Sequence, residues 1–144
     1  MNELAEARND LERHVLAAQQ GRMTSDDLLR VLMDAQVFMP VADEKPAVLN
    51  IQRSTHAQPL FLSGEDGGPV LALFSSPERA KPFVADCPGF EGGLLVEFKW
   101  VLEKMGSGYA IALNPGSEIG FDMEPGTVAD LVDGLAAEGQ RDLQ

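Results

Sequence analysis

A thiol nucleophile in this chain could come only from Cys87, and an imidazole base only from His14 or His56. Cys87 stands between Asp86 and Pro88. A reactive cysteine needs nearby positive charge or a helix N-terminus to hold the thiolate, and an adjacent carboxylate acts in the opposite sense. Cys87 therefore reads as an inert loop or core residue. His14 lies beside an apolar stripe, and His56 sits in the least patterned stretch, Ser54-Thr55-His56. A serine triad would have to use one of them, yet no nucleophile-elbow pattern accompanies either. Two distant histidines and one cysteine give no zinc-ligand spacing. The carboxylates, although plentiful, form no calcium-loop pattern. The residues thus predict no catalytic set, no metal site and no cofactor.

Three other features bear on binding. Gly106-Ser107-Gly108 is the nearest approach to a phosphate loop, but it follows a helix and enters a strand, the reverse of what a phosphate cradle needs. It reads as a helix stop and turn. The segment Asn114-Pro115-Gly116-Ser117-Glu118 is the best candidate surface, because Asn, Ser and Glu could present a polar cluster at a rigid hairpin tip. The same residues also serve turn chemistry: Asn at the first position, Pro and Gly for the dihedrals, Ser and Glu for local hydrogen bonds. Trp100 is either core or a partly exposed anchor for a partner, and its spacing to Val101 and Lys104 favours core.

The elements that must position these residues follow from periodicity. Residues 2–20 carry Leu4, Ala7, Leu11, Val15 and Ala18 at helical spacing, with Asn2 as cap and Gly21 as stop. A second helix starts at Thr24, with Asp27 three residues on. Residues 36–41 read as a strand in which Pro40 favours an edge or a strand end. Residues 42–58 are polar and mixed, with at most a short strand at Val48–Ile51. Residues 59–62 and 70–74 flank the glycine-rich turn 64–68 and predict a hairpin. Ser75-Ser76-Pro77-Glu78 signals a helix start, and Pro82 should keep that helix short. A loop containing Gly92-Gly93 leads to a short buried strand at Leu94-Leu95-Val96, then to a helix through Trp100 that ends at Gly106. Residues 109–113 and 119–123 predict strands joined by a type II turn at Asn114–Ser117. A last helix covers about 125–137, and residues 139–144 should fray. Mixed runs of strands and helices predict an α/β (α+β) domain, with a mixed sheet of five to seven strands covered by helices.

Composition sets the limits. The 144 residues suit one domain, which needs no disulfide or metal to hold a core. A lone cysteine fits a reducing compartment. The acidic start does not resemble a signal peptide, and no apolar run reaches the length of a bilayer span. The expected location is cytoplasmic. The formal net charge is −12, and residues 88–144 hold ten acids against Lys99, Lys104 and Arg141. Such a field repels phosphate backbones and anionic lipid, so neither nucleic acid nor membrane is an expected partner.

Two segments carry a family resemblance: Ser75-Ser76-Pro77-Glu78-Arg79-Ala80 after a hydrophobic strand, and Leu113-Asn114-Pro115-Gly116-Ser117-Glu118-Ile119-Gly120 between two strands. Together with the helical opening that runs into Ala35–Val41, they resemble the N-terminal domain of the SseB family, the "enhanced serine sensitivity" proteins, over about residues 11–137. The resemblance implies a small bacterial α/β domain and carries over no catalytic residue. The family name describes a phenotype, and it coincides with that of an unrelated type III secretion translocator. Some members have a second, C-terminal domain, and the expectation here is a single domain without it. Pro82 and the glycine-rich segment 89–93 are local departures from the pattern.

The leading functional expectation is a non-enzymatic protein-interaction domain with an unidentified protein partner, a homodimer being one option. A secretion-chaperone-like protein associated with type III secretion is the second reading, and would need an exposed apolar groove. A serine-related amino-acid binder or enzyme is the third, and would need a closed pocket with convergent polar groups.

Overall fold

The computed structural model describes residues 9–42, 58–87, 89–90 and 92–142, with side chains as far as residue 137. The chain begins with helix α1 (Asp10–Gln19) and helix α2 (Ser25–Met33). Strands β1 (Gln36–Ala42), β2 (Gln58–Pro59), β3 (Phe61–Ser63) and β4 (Pro69–Leu73) follow. Helix α3 (Pro77–Val84), strand β5 (Gly92–Glu97), helix α4 (Phe98–Met105), strands β6 (Ala110–Leu113) and β7 (Phe121–Met123), and helix α5 (Pro125–Asp142) complete it.

Short polar side chains start the first three helices. Asn9 accepts from the Glu12 N–H at 2.9 Å, Thr24 from Asp27 at 3.1 Å and Ser76 from Arg79 at 3.2 Å. Each satisfies an amide that has no carbonyl partner in its own helix. Pro77 suits the first turn of α3 because its fixed φ is helical and its missing N–H is not needed there. Pro82 then denies the Glu78 carbonyl its partner, and α3 stops at Val84.

Among the described residues seven strands form two sheets rather than the one mixed sheet expected, an α+β fold whose strand number lies within the expected five to seven. β2-β1-β5 is antiparallel throughout, and β3-β4-β6-β7 contains one parallel pair, β4 with β6. The parallel pair is joined through α3, β5 and α4, as a parallel neighbour requires a long crossover. An antiparallel bridge between Phe38 and Phe74 links the sheets. Alternation along β4 places Leu71 and Leu73 in one core and Ala72 and Phe74 in another. The larger core lies under α1, α2, α4 and α5, through Leu11, Val15, Leu28, Leu32, Val101 and Val128 among others. The smaller one lies under α3 through Ala80, with Phe83 and Val84 packed beside it. Burying each of these large side chains contributes about 1.5–3 kcal/mol.

Pro40 is not on an edge. It lies buried in β1, the central strand of its sheet. The reason is the direction in which its nitrogen points. The Phe38 N–H and C=O both bond Phe74, at 2.7 and 2.9 Å, so they face away from β5. Two residues on, Pro40 faces the same side, and its missing N–H removes nothing from the β1–β5 ladder. Its carbonyl accepts from Leu60 N–H at 3.1 Å, and the Leu60 carbonyl, which Pro40 cannot use, accepts instead from Ala72 N–H at 3.0 Å. Leu60 is therefore the corner at which the chain leaves β1 and joins β4. The expected hairpin is present as β3–β4, with Phe61 opposite Leu71.

Three further expectations change. Gly92 and Gly93 belong to β5 rather than to a loop. Leu94 and Leu95 are exposed rather than buried, β5 having no strand on its outer side among the described residues. Helix α5 runs past residue 137 to Asp142, Gly134 not interrupting it. The expected Asn2 cap and the strand at Val48–Ile51 lie outside the described residues.

Gly93 is a position where only hydrogen fits. A Cβ there would stand 2.4 Å from Phe38 Cζ and 2.7 Å from the Met39 carbonyl oxygen. Gly93→Ala should destabilise by about 1–3 kcal/mol, read as a lower urea midpoint with unchanged slope. Tyr109, the single tyrosine, is buried among the larger core with its ring edge-on to Phe61 at 5.8 Å. Its hydroxyl has no hydrogen-bond partner among the described residues, and desolvation pushes its pKa up to about 12 from 10.0. Folding thus favours the protonated phenol. That contribution is complete below pH 10 and declines as pH rises from about 10 to 12, by about 2–3 kcal/mol in all. Phenolate absorbance should titrate near 12 in the folded protein, and Tyr109→Phe should remove this alkaline decline with little effect at neutral pH.

Candidate functional site

A cluster of polar side chains lies where α1, the end of β4, α3 and the β6–β7 connection meet. Glu12 follows Leu11 and precedes Val15, so the inward face of α1 carries a carboxylate, and it is fully buried. Arg79, in the first turns of α3, meets it with two bonds, Nε to Oε2 at 2.7 Å and Nη2 to Oε1 at 2.8 Å. This fork-to-fork geometry is the strongest a carboxylate can have with one side chain. The bond to Glu12 raises the Arg79 pKa further above its already high value. The Ser75 hydroxyl donates to the same Glu12 oxygen, Oε2. The Ser75 N–H donates to Asn114 Oδ1 at 2.9 Å, and its carbonyl accepts from Asn9 Nδ2 at 3.1 Å. Asn114 Nδ2 donates to Ser75 Oγ at 3.0 Å and to the Ile119 carbonyl at 2.8 Å.

A serine beside a carboxylate suggests nucleophilic chemistry, but the arrangement opposes it. The carboxylate that accepts the Ser75 hydrogen bond, Glu12, is ion-paired with Arg79, which opposes its acting as a base. Ser75 is itself buried. The cluster satisfies buried polar groups and joins elements 63 and 39 residues apart in sequence. Sequence reasoning missed Glu12, Ser75 and Arg79 as partners. The available signal was the place of Glu12 between Leu11 and Val15 on an otherwise apolar face.

The predicted turn is assembled around the same cluster. Asn114 has φ 55, the left-handed region that Asn tolerates better than most residues. Gly116 has φ 83, and the Ser117 N–H bonds the Asn114 carbonyl at 3.0 Å, as a type II turn requires. Ser117 Oγ accepts from the Ile119 N–H at 3.1 Å. From α1, Gln19 Nε2 donates to the carbonyls of Glu118 and Gly120 at 2.9 and 3.0 Å. Pro115, Gly116, Ser117 and Glu118 thus line a depression of about 260 Å³ together with Gln19 and Asp122. Asn114 also borders it, but its amide is committed to the buried cluster. Among the described residues no lysine or arginine lines the depression.

Trp100 is not part of this depression. It lies on the outer side of α4, 36% exposed, with Lys104 Nζ 5.9 Å from the ring centroid. Its strand neighbour is β5, which has no partner on its outer side among the described residues. Leu95 stands opposite Phe38. Since Phe38 turns its N–H and C=O toward Phe74, the pair shares no hydrogen bonds, and the Leu95 N–H and C=O point outward from the sheet. The Leu95 side chain is 55% exposed and that of Leu94, on the opposite face, 41%. Cys87 is half-buried against the smaller core, its Sγ 3.7 Å from the Phe83 carbonyl. His14 is half-buried on α1, and His56 lies outside the described residues. No group of three metal-ligating side chains occurs among the described residues, and no described helix is long and apolar enough to cross a membrane.

Breaking the buried pair should cost far more than removing it whole. Arg79→Met or Glu12→Leu should each destabilise by about 3–5 kcal/mol, since each removes one half of a buried charge pair. Glu12→Leu combined with Arg79→Met should cost clearly less than the two single changes added together. A urea-denaturation double-mutant cycle measures both, and additive losses would show that the two side chains act independently.

No curated protein and no solved structure matches the chain. The family model for the SseB protein N-terminal domain matches residues 11–130. That span runs from Leu11, beside the buried Glu12, through Ser75, Arg79 and Asn114 to α5, and the chain belongs to the SseB family.

Proposed function

We propose that this domain is a non-enzymatic protein-interaction module whose contact surface is the outer edge of β5 with Leu94 and Leu95, joined by the exposed Trp100 of α4, the helix that follows β5. The observation that carries the reading is Leu95. It combines an exposed apolar side chain with a backbone donor and acceptor turned outward from the sheet. Soluble proteins usually blunt such an edge with charge, proline or a cover. Here the stretch Gly92–Val96 carries none of the first two. The polar side chains that could have formed a reacting centre are instead spent on one another in the Glu12–Arg79–Ser75–Asn114 cluster, and this supports a role without chemistry. An extended edge also suits a partner that adds a strand: main-chain bonds give affinity and alternate side chains give selectivity.

The test is affinity purification from the cells that make the protein, with the wild type and with Leu94→Lys/Leu95→Lys in parallel. These exposed positions should tolerate lysine, with thermal stability changed by less than about 1 kcal/mol. A partner held by the wild type should be lost from the double variant and weakened by Trp100→Ala. Equal recovery by all three proteins would move the contact surface elsewhere.

A further inference from the structure

We propose that Asp66, on the β3–β4 turn, is a site of spontaneous covalent modification, where the Asp66–Gly67 linkage rearranges to isoaspartate through a cyclic imide. The chain contains this dipeptide twice, as Asp66-Gly67 and as Asp133-Gly134. Both aspartates and both glycines are exposed, so access to water does not separate the two sites. The backbone does. Asp133 and Gly134 lie inside α5, where helical dihedrals point the Gly134 N–H along the axis toward the preceding turn and hold its nitrogen away from the Asp133 carboxyl. Asp66 lies in a turn, and its side chain folds back over the two peptides that follow it. Its Oδ1 accepts from the Gly68 N–H at 3.0 Å, a local bond that aspartate side chains make readily. A Cβ built on Gly68 would stand 3.9 Å from Asp66 Cγ. The Gly67 nitrogen lies in the loop that this bond closes. Gly67 itself has φ 86, and a Cβ there would meet nothing within 4 Å. Glycine at both positions leaves the approach to Cγ unobstructed and the turn free to pivot.

The rearrangement needs only water. The Gly67 nitrogen attacks Cγ of the protonated Asp66 carboxyl. A bond forms between that nitrogen and Cγ, the bond from Cγ to the hydroxyl breaks, and the hydroxyl leaves with the amide proton as water. Water then adds to one of the two imide carbonyls. Opening at Cγ restores aspartate. Opening at the former main-chain carbonyl leaves the chain running through Cβ and Cγ, with a free α-carboxylate. Nothing is oxidised, and mass and charge are unchanged. The main chain, however, gains one atom within a turn closed by two bonds, Gly64 N–H to the Gly68 carbonyl at 2.8 Å and Gly67 N–H to the Gly64 carbonyl at 2.9 Å. Turn geometry fixes hairpin register, here Ser63 opposite Pro69 and Phe61 opposite the fully buried Leu71. Isoaspartate at position 66 therefore strains the end of a strand that lines the larger core.

The full chain, aged at physiological temperature and pH and then digested with trypsin, provides the test, with unaged protein as the control for conversion during digestion. Residues 54–79 form one tryptic peptide, whose only aspartate is Asp66, and residues 105–141 form another, which holds Asp133. The first should develop a second chromatographic peak of unchanged mass, identified as isoaspartate by electron-transfer fragmentation. Conversion at Asp133 should be slower by at least about tenfold, the ratio set by a local helix opening that costs about 1.4 kcal/mol. In guanidinium chloride, where the helix and the turn are both lost, the two sites should convert at comparable rates. Asp66→Glu, which keeps the charge but enlarges the ring that must close, should remove the second peak. A single unchanged peak for residues 54–79 after ageing overturns the proposal. So does equal conversion of the two sites in the folded protein, and so does a preference for Asp66 that persists in denaturant, since sequence rather than the turn would then set it.

Discussion

The buried pair of Glu12 and Arg79 is the constraint around which the rest of the domain is arranged. A fully buried carboxylate is costly unless its charge is matched and its lone pairs are occupied. Glu12 meets both conditions through two bonds from Arg79 and one from Ser75. Meeting them fixes where α1 and α3 lie relative to the end of β4. Ser75 then hands its amide to Asn114, and Asn114 reaches the Ile119 carbonyl. Three segments distant in sequence, around Glu12, Ser75–Arg79 and Asn114–Ile119, are thereby held by one chain of hydrogen bonds. The two stretches that carried the family resemblance, around Ser75–Ala80 and Leu113–Gly120, are the two that meet in this cluster.

A second constraint lies at the junction of the sheets. Pro40 withholds one donor, and the Leu60 carbonyl that would have received it turns to Ala72 instead. The chain thus changes sheets at Leu60, and the Phe38–Phe74 bridge holds the other side of the junction. The same bridge determines which way Leu95 faces. Because Phe38 spends its backbone groups on Phe74, the groups of Leu95 are left to point out of the sheet. The open edge and the closed corner are two results of one hydrogen-bonding parity.

The two surfaces singled out for binding differ in what they can offer. The turn at Asn114–Glu118 is rigid and polar, but its asparagine is bonded inward and Gln19 holds its carbonyls. The β5 edge has no strand against its outward main-chain groups among the described residues and carries leucines on both faces. Binding there would need no rearrangement of the cores, because the groups involved already face outward. With a chain of net charge −12, contacts of either kind depend on ionic strength.

Local signals in the sequence determined much of the architecture. Caps at Thr24 and Ser76, the Pro-Gly turn after Asn114, the stop at Gly106 and the turn at 64–68 act over a few residues. Each could therefore be read without knowing what lay beyond. Most of the strands and the helical cover followed from periodicity for the same reason, whereas the division of residues 58–63 into β2 and β3 did not. Only the tertiary structure decided what depends on partners far along the chain. Glu12 looks like any solvated helix glutamate until Arg79, 67 residues away, is placed against it. Leu94-Leu95-Val96 has the composition of a buried strand, and composition cannot say that the sheet ends there. Pro40 reads as an edge residue because proline lacks a donor, yet a central strand accepts it when the missing donor faces a gap between sheets. The sequence carries propensities and periods; which neighbour satisfies a given polar group, and which strand is last, are properties of the assembled sheet.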